Sequence, residues 1–387
     1  MRFFRILAKS SSSTNIQNQS STLFSTIISR SFSKPRSSSE GPSFGIAFDI
    51  DGVILRGNAP IGGSPQALRR LYDEAWILSG TFKVPYVFLT NGGGIPESKR
   101  ALELAKLLGG VNILTSQVIQ GHTPFKQLVK RFEKELVIAV GKGEPAVVMS
   151  EYGFKNVLSI DEYASCFDNI DPLAQFKKWT TGNVSNQIDT VRSSVCSQRV
   201  QAAFVVSDPV DWSRDIQVLC DILRTGGLPG SKIAHQPPLY FANDDLEYQA
   251  VFPSERLGMG AFRIALESIF NSIHPNALEY TSFGKPNPSV FKNAETVLGE
   301  LVNPSPDTIQ SANHQIGGNH IFRTLYMIGD NPSVDIKGAQ QAGHPWFSIL
   351  TRTGVFKGKE NHDKYPADLV VDTVEEAVDY IFRKEGI

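Results

Sequence analysis

The feature that most constrains this chain is a series of short apolar runs, each ending in glycine or a carboxylate and giving way to a helix-like stretch. FGIAFDID (44–51), YVFLTNGGG (86–94), ELVIAVG (135–141), QAAFVVSD (201–208) and TLYMIGD (324–330) all have this form. WFSILTRTG (346–354) reads as a late strand and TVEEAVDYIFRK (373–384) as a closing helix. PESKRALELAKLLGG (96–110) reads as another helix, with Pro96 near its start and Gly109 at its end. Runs that are apolar throughout belong to strands covered on both faces, and helices between successive strands make the sheet parallel. The expected fold class is therefore α/β, with a parallel sheet between helical layers. Ligands in such folds bind at the carboxyl ends of strands. The polar residues stand there: Asp49 and Asp51, Thr90 and Asn91, and Asp330.

Composition removes several functional classes. The 387 residues are 41% apolar and 20% charged, and the formal net charge is -1. Nothing in that balance points to nucleic acid or to a membrane surface. Cys166, Cys196 and Cys220 form no CxxC pair, and the histidines show no metal-ligand spacing. No apolar run approaches the ~20 residues of a membrane span. Two long polar stretches, 180–199 and 303–320, read as mobile insertions.

The carboxylates carry the chemistry. Asp49 and Asp51 straddle one residue at a strand end, and two clustered carboxylates repel unless a cation or a shared proton offsets the repulsion. Hard oxygen ligands suit Mg2+. One carboxylate can act as a nucleophile, and the other can give and take a proton. Alone, DxDG is a weak signal that also resembles part of a calcium loop. Thr90 and Asn91 precede three glycines, where a hydroxyl and free backbone N–H groups can hold phosphoryl oxygens, although a plain glycine turn would look the same. GKPNP holds Lys285 in a fixed turn, either as a point cation for phosphate or as a surface lysine. GDNPSVD sets Asp330 at a strand end and Asp335 five residues on; Asp330 can be a second metal carboxylate or an N-cap.

DxDG, the TN turn, GKP and GDxxxxD, in this order, resemble the four-motif signature of the haloacid dehalogenase (HAD) superfamily. The resemblance covers nearly the whole chain after residue 43 and implies a three-layer, Rossmann-like core. It further implies that Asp49 is the nucleophile and Asp51 the general acid and base, with its carbonyl on the metal. Thr90 and Asn91 then bind the phosphoryl group, together with Lys285, which also stabilises an aspartyl-phosphate. Asp49, Asp51 and Asp330 hold Mg2+, and Asp335 supports them. Asp51 favours a phosphatase, because dehalogenases of the family lack this acid.

Thr90 and Lys285 are 195 positions apart, room for a second α/β domain. That layout resembles class IIA of the superfamily, and VVSDPVDW, YFANDDLEYQ and FPSERLGMGAFRIALE are similar to the cat eye syndrome critical region protein 5 subfamily. The expected organisation is a core of 43–131 and 276–387 with an α/β cap of 132–275 between. Candidate readers of the leaving group in the cap are Asp208 and Asn243, followed by Asp211, Trp212, Asp244, Arg256 and Arg263; each also reads as a turn, cap or core residue. The expected activity is Mg2+-dependent hydrolysis of a small phosphorylated metabolite. A phosphomutase, or a relict protein serving as a mitochondrial binding or scaffold protein, is the alternative.

The first 39 residues hold Arg2, Arg5, Lys9, Arg30, Lys34 and Arg36, many serines and no acid before Glu40. That is the composition of an organellar transit peptide, and residues 1–42 are expected to be such a leader or disordered. Arg30-Ser31-Phe32-Ser33 resembles a mitochondrial processing site cut after Phe32, with a chloroplast address as the alternative.

Overall fold

The computed structural model describes residues 43–72, 84–177, 197–302 and 321–387. The expected leader lies outside the described residues, as do 303–320 and nearly all of the 180–199 stretch.

Six strands form the first sheet, in the order Leu369–Val371, Trp346–Thr351, Thr324–Gly329, Phe44–Phe48, Tyr86–Leu89, Val118–Ile119. Every pairing between neighbours is parallel. Phe44–Phe48 and Tyr86–Leu89 are buried at every position, as uninterrupted apolar runs require. One core, with Phe48, Tyr86, Ile328 and Ile381, fills one face; a second, with Val87, Phe291, Leu298 and Met327, fills the other. The predicted helices appear as Glu97–Leu107 and Val374–Glu385. The second starts on Thr373, whose side chain accepts from Glu376 N.

A second sheet of five parallel strands is inserted in the chain between Val118–Ile119 and Thr324–Gly329. Its order is Thr281–Ser282, Leu239–Phe241, Ala202–Val205, Leu136–Val140, Asn156–Ser159. It has its own core around Phe204, Tyr240, Phe262 and Leu266. Both sheets lie in one compact unit. The last strand of the second sheet, Thr281–Ser282, comes after residue 275, so this sheet runs further along the chain than the sequence boundary puts it. The reason is pairing: Thr281 and Ser282 align with Tyr240 and Phe241 before the chain turns back to the first sheet. Among the described residues no helix is long and apolar enough to cross a membrane.

Candidate active site

Strand order brings the motifs together. Phe44–Phe48 lies between Thr324–Gly329 and Tyr86–Leu89, so the residues that follow these three strands are neighbours. Asp49, Thr90 and Asp330 each occupy the first position past a strand end, and all three are buried. Lys285 arrives from the other sheet, in the turn between Thr281–Ser282 and the helix Pro288–Val302, which packs on the first sheet. These residues, with Asp51, Asn91 and Asp335, line one cavity of about 80 Å3.

Lys285 is the electrostatic centre. Its side chain is 1% exposed, and Nζ donates to Asp49 Oδ1 and Asp335 Oδ1, both at 2.6 Å. Burial disfavours its charge, but Asp335 and Asp49 outweigh burial and hold it above the ordinary lysine range. Asp335 also accepts at Oδ2 from Asp330 N (3.1 Å) and Asn331 N (3.0 Å), so both its oxygens are engaged by the protein. Asp330 accepts from Val355 N at 2.6 Å. The residue that caps the following turn is Asn331, whose side chain accepts from Ser333 N. Asp330 is thus left facing the cavity.

Seven carboxylates and two lysines line the cavity. Among the described residues, Asp49, Asp330 and Asp335 bring carboxylate oxygens within 4.8 Å of one another. The consequence is visible in their acidity. Burial pushes the Asp49 carboxyl well above its ordinary range, against the pull of Lys285. Burial, then the neighbouring Asp335, pushes Asp330 up to about 7. Burial also raises Asp51. Asp51 lies against the glycine turn: a Cβ on Gly92 would stand 3.2 Å from both Asp51 Oδ2 and Thr90 Oγ1. Gly92 N donates to Thr90 Oγ1 at 3.0 Å.

Of the expected cap readers, Asp208 and Asn243 line the cavity, and the others stand elsewhere. Asp211 caps the helix Trp212–Arg224 and pairs with buried Lys177. Trp212 packs edge-on to Phe262 and donates to the Pro209 carbonyl. Asp244 pairs with Arg263. Arg256 is exposed and lies over the Phe252 ring. None of these five, Arg263 included, lines the cavity.

Several lining residues escaped the sequence reading, Lys142 and Asp245 among them. Lys142 follows the strand Leu136–Val140; its Nζ donates to Asp208 Oδ2 at 2.8 Å and lies over the Tyr248 ring. Asp245 accepts from Asn91 Nδ2 at 2.8 Å, and burial pushes its carboxyl up to about 7. In the pair Asp244-Asp245 it is the second that faces the cavity, a choice made by backbone direction and invisible in composition. Lys142 had one signal, its place just past the apolar run ELVIAVG.

Residues 46–155 match the haloacid dehalogenase-like hydrolase family, and residues 282–377 match a HAD-hydrolase-like family. The chain is 30% identical over 351 residues to the Saccharomyces cerevisiae protein named mitochondrial hydrolase YKR070W, covering 87% of this chain and 95% of that one. It is 32% identical over 344 residues to a Schizosaccharomyces pombe protein named cardiolipin synthase (CMP-forming) / mitochondrial hydrolase fusion protein. That match covers 87% of this chain and 53% of the fusion, so the chain spans about half the fusion's length. Among solved structures, a p-nitrophenyl phosphatase from Archaeoglobus fulgidus superposes with a TM-score of 0.53 at 15% identity, over 88% of this chain and 100% of that one. A glycerol phosphate phosphatase from Mycobacterium tuberculosis in complex with magnesium gives 0.53 at 15%, over 87% and 76%. At these identities the superpositions establish the fold.

Proposed function

The chain belongs to the haloacid dehalogenase-like hydrolases, and from that membership we propose that it hydrolyses a small phosphomonoester, with Asp49 as nucleophile and Mg2+ as cofactor. The observation that carries this reading is the convergence on one cavity of Asp49, Asp51, Thr90, Lys285 and Asp330 from beyond four strand ends, three of the first sheet and one of the second. A second sheet inserted between the Thr90 and Lys285 motifs fits class IIA of the family, and we propose the core and cap division on that basis, with the cap sheet extended to Ser282.

The donor set fits a hard divalent cation. Excess carboxylate in the cavity, and an Asp330 carboxyl lifted to about 7, mark a site short of positive charge. Asp49, Asp330 and the Asp51 carbonyl would hold the ion, since Asp335 spends its oxygens on Lys285 and on the amides of Asp330 and Asn331. When bound, Mg2+ neutralises phosphoryl charge and makes phosphorus more open to attack.

The chain's own groups then divide the work. Asp49 forms a bond to phosphorus as the bond to the leaving oxygen breaks, and Asp51, whose carboxyl burial raises above its ordinary range, gives a proton to that oxygen. Lys285, fixed between Asp49 and Asp335, balances charge at the attacked centre. Water then attacks phosphorus, Asp51 takes its proton, and inorganic phosphate leaves Asp49 free. Thr90 and the N–H groups of the glycine turn hold phosphoryl oxygens. Both hydrogens of the Asn91 side-chain amide are engaged within the protein, so its part in phosphoryl binding falls to its backbone. Asp208, which lines the cavity and pairs with Lys142, is the residue we assign to meet the leaving group.

The yeast relatives' names, with the acid-free basic leader, support a mitochondrial location. Turnover of an aryl phosphate by the purified chain tests the activity. Asp49→Asn should abolish it without changing the circular dichroism spectrum, because an amide cannot attack phosphorus; turnover retained by that variant would sink the nucleophile assignment.

A further inference from the structure

The glycine turn after Tyr86–Leu89 is gripped from the second sheet, and the grip centres on Asn91. Asn91 Nδ2 donates to Asp245 Oδ1 (2.8 Å) and to the Lys285 carbonyl (2.9 Å). Its Oδ1 accepts from Lys285 N (2.8 Å), and its carbonyl accepts from Asn243 Nδ2 (2.7 Å). An amide group has two N–H donors, and here both are used. Asp245 and Asn243 thus hold one residue by two handles, side chain and main chain. Asn243 is also tied to Asp245, because its Oδ1 accepts from Asp245 N at 3.1 Å.

The surroundings leave no slack. A Cβ on Gly121 would lie 2.8 Å from Asn91 O and 2.9 Å from Ala242 O. On Gly284 it would lie 2.7 Å from Asn91 Oδ1 and 2.8 Å from Ala242 O, and Gly284 has φ +72°, a conformation that glycine adopts without strain. Four chain segments, around residues 91, 121, 243 and 284, meet at distances that exclude a methyl group. Asn91 is next to Thr90 in the chain, and its amide spans to the residue whose ammonium meets Asp49. A shift of Asn91 therefore moves both Thr90 and Lys285.

We propose that Asp245 is a positioning residue: it locks the Asn91 side chain, and so sets Thr90 and Lys285 against Asp49 when the second sheet is seated on the first. Seating the cap and completing the phosphoryl pocket are then one event. This deepens the phosphatase reading and rests on it. The requirement is for an acceptor at one place, so an amide oxygen serves and a displaced carboxylate does not.

The test uses the full chain with Mg2+ and p-nitrophenyl phosphate. D245A should lower kcat about 10- to 100-fold with little change in KM, the scale of a misplacement of about 1 Å. D245N should stay within about threefold of wild type, since its side-chain oxygen can still accept from Asn91. D245E keeps the charge but moves the carboxylate by one methylene, and should lose about tenfold; it carries the test if D245A does not fold. In an Asn91→Ala background, D245A should add little, because the two act as one unit. Wild-type kcat in D245A or D245E, a D245N as impaired as D245A, or full additivity with Asn91→Ala would each overturn the inference. An inactive wild type would instead sink the phosphatase reading. Hydrogen exchange then decides the inference alone: the Gly92 and Gly93 amides should exchange faster in D245E and not in D245N, and unchanged exchange in D245E would refute it.

Discussion

Replacing Lys285 with methionine isolates what one buried cation does for both fold and chemistry. Methionine nearly matches the lysine stem in length and packs as an apolar chain, so the perturbation is mainly electrostatic. Lys285 is 1% exposed and meets Asp49 and Asp335 at 2.6 Å each. Without it, two buried carboxylates lose their counter-charge, beside a third, Asp330. Removing one partner of a buried pair costs about 3–5 kcal/mol. The loss should depend on pH with a definite sign. Burial already places the Asp49 carboxyl above its unfolded value, so its protonated form favours folding. The stability it contributes is full at low pH and is lost as pH rises through the folded value. Removing Lys285 lifts that value further, so the deficit against wild type should grow as pH rises. Urea denaturation of both proteins at pH 5.5, 7 and 8.5, in chelator, reads this directly. The kcat for an aryl phosphate should fall by about 10²–10³, the scale for losing a group that stabilises transition-state charge. Equal stability at pH 8.5, or a deficit larger at pH 5.5 than at 8.5, would refute the reasoning.

Four further outcomes are expected. Activity should require Mg2+, vanish in excess chelator and be inhibited by Ca2+, whose ligand number and looser geometry differ; full activity in chelator would contradict the cofactor. With Asp330 lifted to about 7, the metal-free protein should lose stability as pH climbs through 7, so Mg2+ should raise the melting temperature more at pH 8 than at pH 5.5; equal shifts would count against Asp330 as a ligand. Asp208→Ala should lower kcat/KM for the natural substrate by about 1–3 kcal/mol while sparing an aryl phosphate, whereas Asn243→Ala should damage both, because Asn243 holds Asn91. Residues 1–32 should carry a reporter into mitochondria and leave an N-terminus near Ser33, which sequencing of the organellar protein reads; an uncleaved cytosolic product would contradict the address.

The sequence alone determined that this chain is an α/β protein with its chemistry at strand ends. Strands buried on both faces must be apolar throughout, and the first residues released from them are marked by contrast, which is why Asp49, Thr90 and Asp330 could be picked out. The long gap before Lys285 likewise signalled the second sheet. What the tertiary structure decided is which polar neighbour turns inward and which partner it meets. Asp244 and Asp245 are identical in type, yet one pairs with Arg263 and the other with Asn91, 154 positions away. Asp211, Asn243 and Asp208 all stand in turns beside the second sheet, yet one caps a helix, one holds Asn91 and one faces the cavity beside Lys142. Periodicity reports the face of a regular strand or helix. In turns the side-chain direction follows backbone angles, and those are set only when distant segments pack; a side chain's chemistry is therefore local, but its role waits on a partner the local sequence does not contain.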